Sequence, residues 1–408
     1  MRRFSAARSA GHDVRARGPT AGVRRDRLPG VEGARGVAAL SVLAYHVWLR
    51  GGSGLGAGGT ALSYGWLGVP LFFVLSGLLL YRPFARAIVA GSSLPSFRRY
   101  GRARFLRIFP AYWLVLLCCV PFLDPRFAHS ASSWLTRGVE QLFLVQTWFS
   151  NDWDGLAPAW TLAIEITFYA VLPLIVLASW ALARRMPTRN GRALTQMLAL
   201  APLIPAAFAY QHVALHRGWP VALPEYIDEF AIGMLLAVAL ELPATRQGLR
   251  RAWLLGPTAI LAFCLAFVFK HTGPDTNGYT GMMFTLLVTV GFALLLARVL
   301  LAEGHAPLVG RLLSSGPLTW LGMVSYGIYL WHWPVITIVG GNAWRHDSWP
   351  LFAGRLALVL AVTLGLAALS WYGLERRALA LKDARLGRRT RTPARLVPLE
   401  PGRPVHRG

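Results

Sequence analysis

Ten stretches, each close to twenty residues long and dominated by apolar side chains, leave this chain one broad way to fold. They run over 33–50, 64–81, 108–123, 157–180, 194–215, 225–241, 252–270, 280–302, 319–340 and 351–374. A soluble domain of 408 residues has too little interior to hide so many, whereas a bilayer accepts each as a helix that satisfies its own backbone hydrogen bonds. With 55% hydrophobic and only 15% charged residues, the composition agrees. The expected fold class is all-α: a polytopic transmembrane helix bundle of about ten spans.

Charge gives an independent check on that count. Most of the 42 lysines and arginines fall in alternate loops, which places both termini in the cytoplasm by the positive-inside rule. Residues 1–30 and 377–408 read as disordered basic arms flanking one membrane domain over 31–376. The RRF near the start lacks the hydrophobic region of a secretion signal, so no cleaved leader is expected. The net charge of +24 lies beside the spans and in the tails without any nucleic-acid-binding motif, so anionic membrane lipid is the expected partner and nucleic acid is not. Cys118, Cys119 and Cys264 all fall in apolar runs, indicating neither a disulfide framework nor a metal site.

Within this apolar background a few ionisable residues stand out, because charge in a bilayer is costly and usually functional. Arg35 and His46 lie eleven residues apart in GARGVAALSVLAYHVWL. Eleven helical steps return the two side chains to within ~20° of one face, separated by ~16 Å of rise. A fixed cation and a titratable imidazole therefore share one stripe. Arg104 and Arg107, three apart in RARFLRIFPAYW, face the same way on a helix, and with Arg98 and Arg99 nearby they form an inner-leaflet anion site or simply a cytoplasmic anchor. Glu165, with Trp160, Thr161 and Tyr169 on its face, and His332 in SYGIYLWHW both sit in the outer half of their spans. They are read either as packing pairs or as the walls of a polar pocket.

Other features point to structure. The GGSGLGAGG at 51–59 lacks the strand and lysine of a phosphate loop and reads as a flexible outer turn. Ser76 and Gly77 in FFVLSG suit a close helix contact. Glu225, Asp228 and Glu229 read as a solvated helix start, with contact to acceptor hydroxyls as the other option. Trp48, Trp66, Trp148, Trp153 and Trp349 fit an interfacial belt.

Six segments in order, LPGVEGARGVAALSVLAYH, GWLGVPLFFVLSG, RARFLRIFPAYW, WTLAIEITFYAVLPL, LGMVSYGIYLWHWPV and SWYGLER, make the chain resemble the acyltransferase-3 family of integral membrane O-acyltransferases over roughly residues 28–380. The resemblance implies about ten spans in the bacterial cytoplasmic membrane. It also implies transfer of acetyl or another short acyl group from acyl-coenzyme A, without a metal, to a hydroxyl of a carbohydrate or glycolipid acceptor. By it, His46 corresponds to the essential histidine, while Arg35, Arg104 and Arg107 match positions implicated in donor binding or activity. Some members carry an appended extracytoplasmic hydrolase-like domain, which is not visible in this sequence.

The residue spacing and that chemistry meet. Coenzyme A carries phosphates at one end and a thioester at the end of a long arm, so cations are needed at the cytoplasmic face and a catalytic group deeper in. The expected division of labour has Arg35, Arg104 and Arg107 holding phosphates and His46 acting as general base or as an acylated nucleophile. Glu165 would orient the imidazole or the acceptor, with His332 in reserve for either role. Two alternatives remain at this stage: an acyltransferase acting on a cytoplasmic metabolite such as a macrolide, and a proton-coupled transporter using Glu165 and His332.

Overall fold

A computed structural model of the chain describes residues 28, 30–52, 55–123, 138–149, 156–217, 221–242, 253–272, 278–301, 307–340 and 348–384. Almost all of the basic arm expected at 1–30, and residues 385–408 of the expected tail, lie outside them. The described residues are helical, with no strand among them. In chain order the helices are α1 (Val31–Gly51), α2 (Gly56–Ser63), α3 (Gly68–Ala90), α4 (Phe97–Leu123), α5 (Trp160–Ala183), α6 (Arg189–Leu200), α7 (Leu203–Arg217), α8 (Leu223–Ala239), α9 (Leu255–Thr272), α10 (Tyr279–Leu300), α11 (Leu308–Leu313), α12 (Gly316–Gly340), α13 (Trp349–Ser370) and α14 (Arg376–Ala384).

Where they are described, the ten apolar stretches thus fall mainly on helix. Among the described residues, five segments are long and apolar enough to cross a membrane: Gly56–Ala90, Ala157–Ala183, Arg189–Ala214, Tyr279–Leu300 and Trp349–Leu381. Their outer faces carry bare aliphatic side chains. Leu174 and Leu369 are 65% and 71% exposed, an arrangement that suits hydrocarbon rather than water.

Small residues decide which helices touch most closely. At Gly322 of α12, an added Cβ would strike the backbone carbonyl of Glu32 in α1, so these two helices meet backbone to backbone. α1 and α12 consequently share the most extensive contact in the bundle, and they carry His46 and His332. Gly77 of α3 and Gly233 of α8 do the same for a second pair, each lying against the other helix's carbonyls at Phe230 and Val74. The close-contact reading of Gly77 is what the structure contains. Around these seams the core holds Phe73, Phe168 and Phe230 in a stacked aromatic run, with ring centroids of Phe168 and Phe230 4.1 Å apart.

Four local expectations need correction. The third helix begins at Phe97 rather than 108, because FRRYGRAR has no proline and its four arginines are good helix formers that outweigh the single Gly101, so Arg104 and Arg107 sit inside α4. The stretch 194–215 is two helices, α6 and α7, separated by turn residues 201 and 202 ahead of Leu203. The glycine-rich segment is not wholly a turn: Gly56–Ser63 closes into α2. The expected disordered tail starts as helix, since α14 runs to Ala384 and lies along α4, where Arg102 Nη2 donates to the Leu381 carbonyl at 3.0 Å.

Candidate active site

The arginines come from two helices. Arg35 of α1 and Arg104 and Arg107 of α4 line one narrow cavity of about 90 Å³, together with Ser76 of α3 and Glu165 and Tyr169 of α5. Spacing alone predicts that Arg104 and Arg107 share a face; the tertiary fold then turns that face toward Arg35. Arg35 has one ion pair within 4.0 Å among the described residues, to Glu32 at 3.9 Å, a loose contact across one helical turn, and it also interacts with Glu375. Arg104 and Arg107 make no ion pair within 4.0 Å among the described residues, and the buried Arg104 Nε has no hydrogen-bond partner. Against the three guanidinium groups stand Glu165 in the same cavity, Glu32, and the buried Glu375, which interacts with Arg107 and Arg35, so the cluster carries partly compensated positive charge suited to an anion.

Glu165 belongs to this arginine cavity. Its Oε1 accepts from Ser76 Oγ and from Tyr169 OH, both at 2.6 Å. The Tyr169 contact spans one helical turn and was legible from the i, i+4 spacing. The Ser76 contact joins residues 89 positions apart and was not. Glu165 therefore does not orient His46 by a direct hydrogen bond.

His332 fills that place. His332 Nε2 lies 3.1 Å from His46 Nδ1, and His332 Nδ1 lies 3.2 Å from the Ile328 carbonyl one turn earlier in α12. A carbonyl only accepts, so Nδ1 of His332 carries the proton there. In a neutral pair, Nε2 of His332 is then an acceptor, and His46 must donate from Nδ1. The remaining nitrogen of His46, Nε2, keeps its lone pair, and the ring is also held by a backbone hydrogen bond to Val42 one turn earlier in α1. The chain Ile328–His332–His46 thus sets the tautomer of His46 from behind. His332 is 1% exposed, and Trp333 closes on His46 edge-on at 5.5 Å.

His46 lines a second, larger cavity of about 660 Å³, which also includes Tyr45, Trp66, Trp160, Tyr226 and the acidic residues Glu225, Asp228 and Glu229. The acidic residues are not a solvated helix start, because Asp228 and Glu229 are only 3% and 2% exposed. They point inward because α8 packs its N-terminal half against α3 and α7. Trp66 and Trp48 are half-buried and turn part of their rings inward. The first lines this cavity, and the second packs against Gly52 and Gly59 with its Nε1 buried. Trp148 and Trp349 are exposed, and Trp153 lies outside the described residues.

Val69, Thr161 and Tyr329 line both cavities and so form the partition between them, the neck that a substrate would have to pass. Tyr329 OH donates to the Pro158 carbonyl and is bonded to Thr161 Oγ1, which pins the ring in place. Sequence reading passed over Tyr329, although it lies three residues before His332 on the same helical face. The six predicted residues are therefore divided. Arg35, Arg104, Arg107 and Glu165 are brought together on one side of the neck, His46 and His332 on the other. Among the described residues no group of three or more His, Cys, Asp or Glu side chains could hold a metal ion.

A family model described as an acyltransferase domain, that of acyltransferase-3, matches residues 28–372. Among known proteins, the chain is 27% identical over 373 residues to the provisionally named peptidoglycan O-acetyltransferase YrhL of Bacillus subtilis, covering 86% of this chain and 54% of that protein. It is 27% identical to the peptidoglycan O-acetyltransferase OatA of Listeria monocytogenes, covering 79% and 52% respectively. It is also 26% identical to the provisionally named membrane-bound transacylase BcsY of Komagataeibacter xylinus, covering 91% and 89%. The chain spans about half the length of the first two relatives. With the family match extending over most of its helices, this chain belongs to the acyltransferase-3 family.

Proposed function

We propose that the protein is a membrane O-acyltransferase of about ten spans in the bacterial cytoplasmic membrane, with both termini cytoplasmic. It moves an acetyl or other short acyl group from acyl-coenzyme A to a hydroxyl of a carbohydrate-containing acceptor, either a surface glycan or a glycolipid. One observation supports this reading: a cavity lined by three arginines and a cavity lined by His46, whose imidazole is hydrogen-bonded to His332 behind it, share a wall of three residues.

Size assigns the substrates to sides. The arginine cavity, at about 90 Å³, admits a slender chain but not a nucleotide. The coenzyme's phosphates therefore stay at its mouth, held by Arg35, Arg104 and Arg107, while the pantetheine arm threads inward past Glu165 and Ser76. The helical rise from Arg35 to His46, ~16 Å, is the depth this arm has to span. The larger cavity has room for sugar-sized acceptors.

At the neck, the acceptor oxygen attacks the thioester carbonyl carbon as His46 Nε2 removes the hydroxyl proton. The tetrahedral intermediate collapses with cleavage of the C–S bond, and His46 returns the proton to the departing thiolate. Coenzyme A thiol and the acyl ester are the products. His332 holds His46 in the tautomer that exposes its basic nitrogen and takes no proton itself. General-base assistance of this kind contributes about 10²–10⁴-fold.

The test uses purified protein in detergent with radiolabelled acetyl-coenzyme A and a glycan acceptor. Arg35→Ala and Arg107→Ala are expected to raise the donor KM about ten- to a hundred-fold, as for lost hydrogen bonds to a charged group. His46→Ala should retain donor binding and lose transfer. Full turnover by His46→Ala, or transfer that does not depend on the coenzyme A thioester, overturns the proposal.

A further inference from the structure

Asp228 and Glu229 are buried in the wall of the larger cavity, yet Asp228 Oδ1 and Glu229 Oε2 have no hydrogen-bond partner. Glu225 lies one turn away and adds a third acidic group to the same wall. None of the described lining residues is lysine or arginine. Two cations toward this end of the bundle are engaged elsewhere: Arg50 lies over the Trp333 ring at 5.0 Å, and Lys270 over Tyr64 and Phe284 at 5.5 and 5.0 Å. Buried carboxyl oxygens without donors are unfavourable in an empty cavity, and a ligand that brings O–H groups removes that penalty.

Two features select the kind of ligand. Asp228 and Glu229 are adjacent on α8, so their side chains diverge around the helix by ~100° and present two separate acceptors rather than one chelating pair. Separate acceptors suit hydroxyls spaced around a ring better than a single point charge. Trp160 and Tyr226, with ring centroids 5.3 Å apart and planes tilted by 47°, supply apolar faces beside them.

We propose that Asp228 and Glu229 are the acceptor-specificity residues. They accept hydrogen bonds from the hydroxyls of an uncharged polyhydroxyl ring and repel acceptors that carry negative charge close to the reacting hydroxyl. This rests on the acyltransferase reading above and adds to it a selection by acceptor charge. Like charges brought together in a cavity that excludes water are strongly unfavourable, so exclusion of anions is the sharper part of the claim.

The test is calorimetric binding to the purified full chain in detergent, with no acyl donor present. Three soluble probes are compared: the neutral tetramer of N-acetylglucosamine, its de-N-acetylated ammonium form, and a tetramer of galacturonate. Wild type is expected to bind the neutral tetramer at least about tenfold more tightly than the galacturonate, the discrimination a single opposed buried charge provides. In the double variant Asp228→Asn, Glu229→Gln, that ratio should fall to near one. Equal binding of neutral and anionic probes by wild type overturns the proposal. So does failure of the neutral tetramer to bind, or tightest binding of the ammonium form, which would mark a cation site. The wild-type comparison decides the matter even if the variant does not fold. Selective binding without coenzyme A-dependent transfer would refute the acyltransferase reading alone, and transfer without selectivity would refute only the acidic subsite.

Discussion

Replacing His332 with alanine separates the work of the imidazole pair from the rest of the site. The substitution leaves the arginine cavity, the neck and His46 in place, and removes only the acceptor 3.1 Å from His46 Nδ1. His46 then loses the bond that fixes its tautomer and ring orientation, and its Nδ1–H is left buried without that partner. When His46 takes the proton, its bond to His332 becomes charge-assisted and gains about 1–1.5 kcal/mol over the neutral bond. At 1.36 kcal/mol per decade of rate, losing that gain predicts a fall in kcat of roughly 5- to 12-fold. The donor KM should stay near wild type, because the arginines are untouched. His332→Gln provides the control, since its amide oxygen can accept from the same Nδ1–H and should recover part of the loss. Initial rates with acetyl-coenzyme A, together with a thermal unfolding curve for each variant, measure both quantities. Undiminished kcat in a well-folded His332→Ala protein would refute the tautomer argument. A His332→Gln protein no more active than His46→Ala would refute it as well, because hydrogen-bond acceptance would then not be the property that matters.

Two further outcomes follow from the packing. Gly322→Ala forces a methyl group against the Glu32 backbone and must push α12 away from α1. We predict a loss of about 1–3 kcal/mol in stability, accompanied by falling kcat because the same helices carry the two histidines. Gly365→Ala, which meets nothing within 4 Å, should leave kcat unchanged and hold or slightly raise stability, by up to about 1 kcal/mol from helix propensity; a Gly322→Ala melting temperature equal to wild type would contradict the backbone contact. Tyr329→Phe removes the hydroxyl that ties the neck to Pro158 and Thr161. It is expected to cost about 1 kcal/mol in stability and to lower kcat several-fold with donor affinity unchanged; a raised donor KM would place Tyr329 with the arginines instead.

Helical spacing made the two halves of the site readable one helix at a time. Arg35 and His46 share a stripe because eleven residues come close to three whole turns, and Arg104 and Arg107 share a face because three residues come close to one. The same rule exposed the Glu165–Tyr169 contact. It could not show that Ser76 reaches Glu165 across 89 positions, or that His332 rather than Glu165 stands behind His46. Those pairings depend on which helices are neighbours, and periodicity within one helix contains no information about that. The acidic residues of α8 were misread for the same reason: a helix start with three carboxyl groups is ordinarily solvated, and only the packing of α8 against α3 and α7 turns it inward.

The sequence by itself therefore determined the class of fold, since its apolar runs satisfy their backbone only as helices and its charges fall where the helices end. It also determined the ionisable groups available for chemistry and the face each occupies. Only the tertiary structure decided their division into an arginine cavity and an imidazole cavity with Val69, Thr161 and Tyr329 between them. The physical reason is that a helix specifies its own surface by local hydrogen bonding, whereas the choice of partner for that surface rests on close approach at small residues such as Gly322, Gly77 and Gly233, whose contacts lie far away in the chain.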